Sequence, residues 1–341
     1  GIQNLMAILK FGKTICITSL LSLGLMSNAY AVDDEDVLGQ FLEQKFATQQ
    51  VQNNVPLQTA EYDPLAAYMQ PSANFNAAPV NAVHTNTIQY QAAQAGPMLK
   101  AQSALIMNAK TGQVLYQKNM SSVRSIASIS KLMSAMVLLD AHLDMNEQIT
   151  ITEAEIDRLK GTGSRLSVGT TLTRAQLLHL GLMSSENRAI HALARTYPGG
   201  MSAFVAAMNA KARSLGMANS RFYEPTGLDP RNVSTALELG KMVQAASHYA
   251  KIRELTTSNY GQAYTSNGKL QQYKNTNVLV REGLMNITLQ KTGYIREAGR
   301  SMVLQAKMGQ TPVVIVVLGS ATSASRASDA RSLGNIAQMT L

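Results

Sequence analysis

Strand-like runs stand at both ends of the ordered part of this chain, and helical periodicity fills the middle. Ser103-Ala-Leu-Ile-Met107 and Val114-Leu-Tyr116 are joined by Asn108-Ala-Lys-Thr-Gly112, a hairpin signature with Gly at the turn. Strand-like segments return between Tyr260 and Ala306, and Leu289 to Tyr294, Ser301 to Lys307 and Pro312 to Leu318 look like antiparallel neighbours. Between the two sets, Leu132, Met133, Met136, Val137 and Leu139 recur at helical spacing, in a helix that starts at or just before Ser128. Further helical stretches run from Arg174 to Arg195 (broken near Ser185-Glu-Asn187), Met201 to Leu215, Ser234 to His248 and Ser323 to Met339. One antiparallel sheet, built from both ends of the domain and covered by a helical insert, satisfies that order. The expected class is α+β.

Ahead of this domain the chain changes character twice. Lys10 and Lys13, an apolar stretch from Thr14 to Met26 and the small pair flanking Tyr30 in Ala29-Tyr-Ala31 read as a secretory signal peptide, 1–31, cleaved after Ala31. The apolar stretch is shorter than the roughly 20 residues that cross a bilayer. From Gln40 to Gln94, 16 of 55 residues are Gln or Asn, and Pro56, Pro64, Pro71 and Pro79 interrupt any helix. Residues 32–97 therefore read as a flexible spacer, with a short helix at Val37 to Phe46, and 98–341 as the folded domain. The single cysteine, Cys16, lies in the leader, so a mature chain in an oxidising compartment would have no disulfide and would depend on its core.

Lys and Arg number 30 against 21 Asp and Glu, a net +9 that suits an anionic partner. Neither a dense basic run nor an aromatic-interleaved basic patch is present, so nucleic acid is not expected. The five histidines offer no His-x-x-x-His or His-Glu-x-x-His pattern, and neither a metal nor another cofactor is expected. His179 and His191 read as helix residues near the core, and there is no Gly-x-Ser-x-Gly elbow for a Ser/His/Asp hydrolase.

Three short strings carry chemistry: Ser128-Ile-Ser-Lys131, Ser185-Glu-Asn187 and Lys291-Thr-Gly293. Ser and Lys three apart on a helix share a face. A Ser hydroxyl is a poor nucleophile until a base takes its proton, and Lys131 serves as that base only when neutral. Burial and a second cation, for which Lys291 is the candidate, both push it that way. Each string has a decoy: Ser266-Asn-Gly-Lys269, Ser72-Ala-Asn74 and Lys110-Thr-Gly112. Context separates them. Ser128 opens an apolar helix, Ser185 follows Leu177-Leu-His-Leu-Gly-Leu-Met183, and Lys291 lies on a strand, whereas the decoys fall in turns or the spacer.

This trio, in this order, is the established signature of penicillin-binding proteins and class A β-lactamases. With Gly161-Thr-Gly-Ser-Arg-Leu166 and Pro225-Thr-Gly-Leu228, the stretches Ser103 to Ala141, Gly161 to Arg195, Phe222 to Leu239 and Leu289 to Ala306 resemble the low-molecular-mass penicillin-binding proteins, serine D-Ala-D-Ala peptidases. The resemblance implies a β-lactamase/transpeptidase-like fold, no cofactor, and action on peptidoglycan stem peptides and cross-links, with β-lactams as acylating inhibitors. It implies that Ser128 is acylated, Lys131 is general base, Ser185 relays a proton and Asn187 holds the substrate amide. Lys291, Thr292 and Gly293 would form the carboxylate-binding strand, and the N–H groups of Ser128 and Tyr294 the oxyanion hole. Arg326, at the head of the last helix, is open between a carboxylate ligand and a helix-capping residue, and Glu186 between substrate and water.

Within the family the Ser-Ser-Glu-Asn string looks nearest the endopeptidase branch, as does an ending at Leu341 without a further β domain or anchor helix. The expectation is a periplasmic endopeptidase with no stable membrane anchor after signal cleavage. The alternatives are a carboxypeptidase, a class A-like β-lactamase using Glu224, and a non-catalytic β-lactam-sensing or wall-binding module. The Leu-Asn that should follow a β-lactamase glutamate is missing after Glu224-Pro225.

Overall fold

The computed structural model describes residues 97–341. The expected leader, spacer and Val37 to Phe46 helix lie outside the described residues, save for Pro97. Leu99–Leu341 belong to one compact unit.

In chain order, β1 (Ser103–Asn108) and β2 (Val114–Lys118) form the expected hairpin, and β3 (Arg124–Ser125) precedes a 3₁₀ turn at Ala127–Ile129. Helix α1 (Ser130–Asp140) continues from that turn, followed by β4 (Gln148–Thr150) and β5 (Thr171–Thr173), which pair as a ribbon. Three helices follow: α2 (Arg174–Met183), α3 (Asn187–Arg195) and α4 (Gly200–Ser214). β6 (Val233–Ser234) pairs with β3, then come α5 (Ala236–Ala246) and α6 (Ala250–Thr256). β7 (Tyr260–Tyr264) and β8 (Leu270–Lys274) make a second hairpin. After the short α7 (Val278–Arg281), β9 (Ile287–Ile295), β10 (Gly299–Met308) and β11 (Thr311–Ser320) lead to α8 (Ser323–Thr340).

Five strands form the main sheet in the order β2-β1-β11-β10-β9. The two ends of the domain meet at its centre, where β1 pairs antiparallel with β11 from Ser103↔Leu318 to Asn108↔Val313. Alternation along β11 explains why it is apolar throughout. Val314, Val316 and Leu318 pack into the core shared with the helical insert, and Val313, Ile315 and Val317 into the core beneath α8. Each such side chain contributes about 1.5–3 kcal/mol by leaving water.

The helical starts are written locally. Thr173 and Gln176 form a capping box on α2, as Thr322 and Ser325 do on α8. Glu186 caps α3 by accepting from the Arg188 N–H, which ends the break between α2 and α3. Sequence periodicity missed α6 and α7, which are too short to show it. Because β9 closes one side of the sheet, its outer edge is left for the turn that carries Ser128.

Candidate active site

Ser128 sits in the 3₁₀ turn, not in the α-helix proper, and Lys131 follows as the second residue of α1. Residues three apart eclipse in a 3₁₀ turn, which brings the two side chains together. Ala127 enters the turn at φ 47, an unfavourable left-handed conformation for a residue with a Cβ. Two glycines hold it there. A Cβ on Gly227, whose φ is +92, would overlap the Ala127 carbonyl, and one on Gly293 would stand 2.9 Å from the Ser128 nitrogen. The 225–228 loop and the edge strand β9 thus press their backbones directly against the serine turn.

Lys131 and Lys291 are both fully buried. Lys131 Nζ lies 2.6 Å from Ser128 Oγ, 3.2 Å from Ser185 Oγ, 2.7 Å from Asn187 Oδ1 and 3.1 Å from the Thr226 carbonyl. Lys291 Nζ lies 2.9 Å from Ser185 Oγ and 2.8 Å from the Thr292 carbonyl. Ser185 reaches both lysines from the break between α2 and α3, at a left-handed φ of 61. The structure therefore brings Ser128, Lys131, Ser185, Asn187 and Lys291 into one cluster.

Thr292 is buried beside it, its hydroxyl 2.6 Å from that of Thr276. Tyr294 continues the edge strand, with the Arg300 guanidinium 4.3 Å from its ring centre. Arg326 is no exposed cap: it is 7 % exposed, in the first turn of α8, with Nη1 3.5 Å from the Ser301 carbonyl one strand in from the edge. Glu186 accepts a 2.5 Å hydrogen bond from Ser164, so it ties the 161–166 stretch to the start of α3.

Glu224 is engaged by its own loop. It accepts from the Thr226 N–H at 2.7 Å, the Thr226 hydroxyl at 2.5 Å and the Gly227 N–H. The decoys stay apart. Ser266 and Lys269 lie at the β7–β8 turn and Lys110 at the β1–β2 turn, while Ser72 is outside the described residues. Among the described residues no group of three or more His, Cys, Asp or Glu could hold a metal ion, and no helix is long and apolar enough to cross a membrane.

Sequence reasoning missed two contributors. The Thr226 carbonyl touches Lys131 through backbone, which leaves no side-chain signal. Glu155 is buried beneath α3, bonded to Arg195 Nε at 2.7 Å and His191 Nδ1 at 2.9 Å. Burial alone would raise its pKa, but the hydrogen bonds from His191, Arg195 and Thr152 outweigh it and hold the carboxyl at about 2. Asn187, His191 and Arg195 are successive fourth residues of α3, so Glu155 anchors the face that presents Asn187.

A sheet covered on both faces by helices, with a Ser–Lys pair at its edge strand, defines a serine acyl-transfer enzyme of the transpeptidase fold. Among solved structures, the DD-transpeptidase of Streptomyces K15 superimposes with a TM-score of 0.67 at 30% identity, covering 73% of this chain and 100% of that one. The profile of the D-alanyl-D-alanine carboxypeptidase family matches residues 89–322, and the chain belongs to that family of serine peptidases. The D-alanyl-D-alanine endopeptidase of Escherichia coli is 44% identical over 223 residues, 65% of this chain and 72% of the relative. That of Pseudomonas aeruginosa is 44% identical over 221 residues, 64% of this chain and 71% of the relative.

Proposed function

We propose that this chain is a periplasmic D-alanyl-D-alanine endopeptidase that opens peptide cross-links in peptidoglycan through an acyl-enzyme on Ser128. The observation that carries the mechanism is the position of Lys131 Nζ, 2.6 Å from Ser128 Oγ and 3.2 Å from Ser185 Oγ. A neutral Lys131 amine donates to the Thr226 carbonyl and Asn187 Oδ1, which are acceptors only, and keeps its lone pair for the Ser128 hydroxyl. It takes the Ser128 proton as Oγ attacks the carbonyl of the penultimate D-alanine.

Charge then develops on the carbonyl oxygen, where the N–H groups of Ser128 and Tyr294 stabilise it. Ser185 passes the proton from Lys131 to the leaving amine, and the C–N bond breaks. Lys291 supplies positive potential, and Thr292 binds the carboxylate of the departing residue. Water, deprotonated by Lys131, releases the acyl chain. A β-lactam acylates Ser128 in the same way, but its amine stays tethered and hinders the water.

The relatives at 44% identity carry the name endopeptidase, which supports cross-links over free pentapeptide ends as substrate. The net charge of +9 suits a polymer rich in carboxylates. Incubation with a cross-linked muropeptide dimer and with a pentapeptide monomer, followed by chromatography, tests the proposal. Monomers should appear from the dimer with wild type and not with Ser128→Ala. Release of D-alanine from the monomer alone would make the protein a carboxypeptidase, and no release from either would leave a binding module.

A further inference from the structure

The β7–β8 hairpin has two faces of opposite character. Side chains alternate across a strand, so the register Tyr260↔Lys274, Gln262↔Gln272 and Tyr264↔Leu270 puts these six on one face. All six are exposed, Tyr260 at 72 % and Tyr264 at 70 %. The opposite face is packed. Ala263 and Tyr273 are buried, and a Cβ on Gly261 would stand 2.8 Å from Met183 Cε at the end of α2.

A two-stranded ribbon is marginal by itself, yet this one is held along its back and at its tip. The Arg165 guanidinium lies 4.2 Å from the centre of the Tyr273 ring, and its Nη1 donates to the Gln272 carbonyl. In the turn, the Ser266 N–H donates to Thr170 Oγ1 at 3.0 Å, and the Ser266 hydroxyl to the Val168 carbonyl at 2.8 Å. The exposed face is therefore a fixed platform, and a partner that meets it loses little to ordering.

Cross-strand packing does not account for two tyrosines there. Such pairs are worth about 0.2–1 kcal/mol when the side chains cover each other. Tyr260 opposite Lys274 and Tyr264 opposite Leu270 leave most of both rings in water. The two rings, about 13 Å apart along one strand, present flat apolar surfaces with polar tips. Between them Gln262 and Gln272 supply amide donors and acceptors. Lys274 is basic, and no Asp or Glu stands between Glu254 and Glu282. Rings can stack on the C–H faces of sugars, and amides can meet their hydroxyl and acetamido groups. With no carboxylate to repel an anionic polymer, the face matches a polysaccharide of N-acetylated sugars. An anionic membrane would call for more basic and aliphatic side chains than Lys274 and Leu270.

The hairpin is also tied to the cleft. Two residues beyond Lys274, the Thr276 hydroxyl lies 2.6 Å from that of Thr292. The Thr276 N–H donates to the carbonyl of Met183, two residues before Ser185. The face thus begins beside the site where a stem peptide would be cut, and the sugar chain that carries the peptide is the polymer at hand.

We propose that the outer face of the β7–β8 hairpin is a docking surface for the glycan strand of peptidoglycan, with Tyr260 and Tyr264 stacking on sugar rings and Gln262 and Gln272 bonding their polar groups. The proposal rests on the peptidase function above and adds the sugar chain to what the protein recognises.

Two measurements on the full chain test it. One is titration calorimetry with glycan strands stripped of their stem peptides. The other is the ratio of cleavage rates on intact cross-linked peptidoglycan and on a sugar-free cross-linked peptide dimer. Wild type should bind the stripped strands. Tyr260→Ser with Tyr264→Ser should weaken that binding by about tenfold and lower the rate ratio by a similar factor. Tyr260→Phe with Tyr264→Phe keeps both rings and should hold both readouts within about threefold of wild type. Cleavage of the dimer by wild type without binding of stripped strands overturns the surface and leaves the peptidase function standing. Binding that the serine double variant retains in full overturns the assignment to this hairpin, as does binding to anionic phospholipid vesicles in place of the glycan. Binding of the strands by wild type without cleavage of either substrate overturns the peptidase function and leaves the surface.

Discussion

Lys131 and Lys291 share one hydroxyl: Ser185 Oγ lies 3.2 Å from the first nitrogen and 2.9 Å from the second. Two ammonium groups buried around one hydroxyl would repel, which favours a neutral amine at one of them. Lys131 is next to Ser128 and suits the base, while Lys291 on the edge strand suits the fixed charge. Lys291→Ala should slow acylation about 10²–10³-fold, by peptide ester and by penicillin alike. Stopped-flow labelling with a fluorescent penicillin measures it, and unchanged rates with both reagents would remove Lys291 from the site.

Ser185 holds its hydroxyl between the lysines at a φ of 61. Ser185→Ala and Ser185→Gly both remove the hydroxyl, and both should slow acylation about 10²–10⁴-fold. They differ in backbone cost. Glycine accepts the left-handed conformation and alanine does not, so Ser185→Gly should be the more stable of the two by about 1 kcal/mol. Urea denaturation of the pair measures that difference. Equal stabilities would mean that the break between α2 and α3 relaxes once the hydroxyl is gone.

The sheet was legible because β1 and β11 are near-continuous apolar runs bounded by turn residues, whereas the pairing of β1 with β11 joins segments about 200 residues apart and left no local signal. The cluster was legible because its groups are side chains of rare pattern on core elements. Two kinds of contribution left no such trace. The Thr226 carbonyl acts through backbone and carries no side-chain signal, and Gly227 reads as an ordinary loop glycine until the fold sets it against Ala127. Glu155 reads as one acid among many in Glu153-Ala-Glu155 until the fold buries it under α3. Arg326 was open between a carboxylate ligand and an exposed helix cap, and its burial against the Ser301 carbonyl removes only the second.

Glu155 should make stability depend on acid. Its carboxyl is held at about 2 in the folded protein against 4.5 for the free side chain, so the native state keeps it ionised after the unfolded chain has taken up a proton. That stabilisation is complete above about 4.5 and is lost as pH falls toward 2. Tm measured from pH 7 to pH 2.5 should fall more steeply for wild type than for Glu155→Gln, with the variant less stable at pH 7. Parallel curves would show that the carboxylate is not coupled to folding.

Glu224 separates a peptidase from a β-lactamase. In the class A enzymes a glutamate activates the water that deacylates the serine. Here the Glu224 carboxylate already accepts from the Thr226 and Gly227 N–H groups and the Thr226 hydroxyl, so its oxygens are taken up by its own loop. Its work is to shape the loop whose Gly227 backs the Ser128 turn. Glu224→Gln places an amide where two N–H donors converge, and should destabilise the domain by about 1–2 kcal/mol. Acylation should slow with it, because the serine turn loses its backing. Deacylation of the penicillin-bound enzyme, followed by mass spectrometry after removal of free drug, should change by less than about twofold. A drop of 10² or more in that step alone would make Glu224 the water-activating base and the chain a β-lactamase in mechanism.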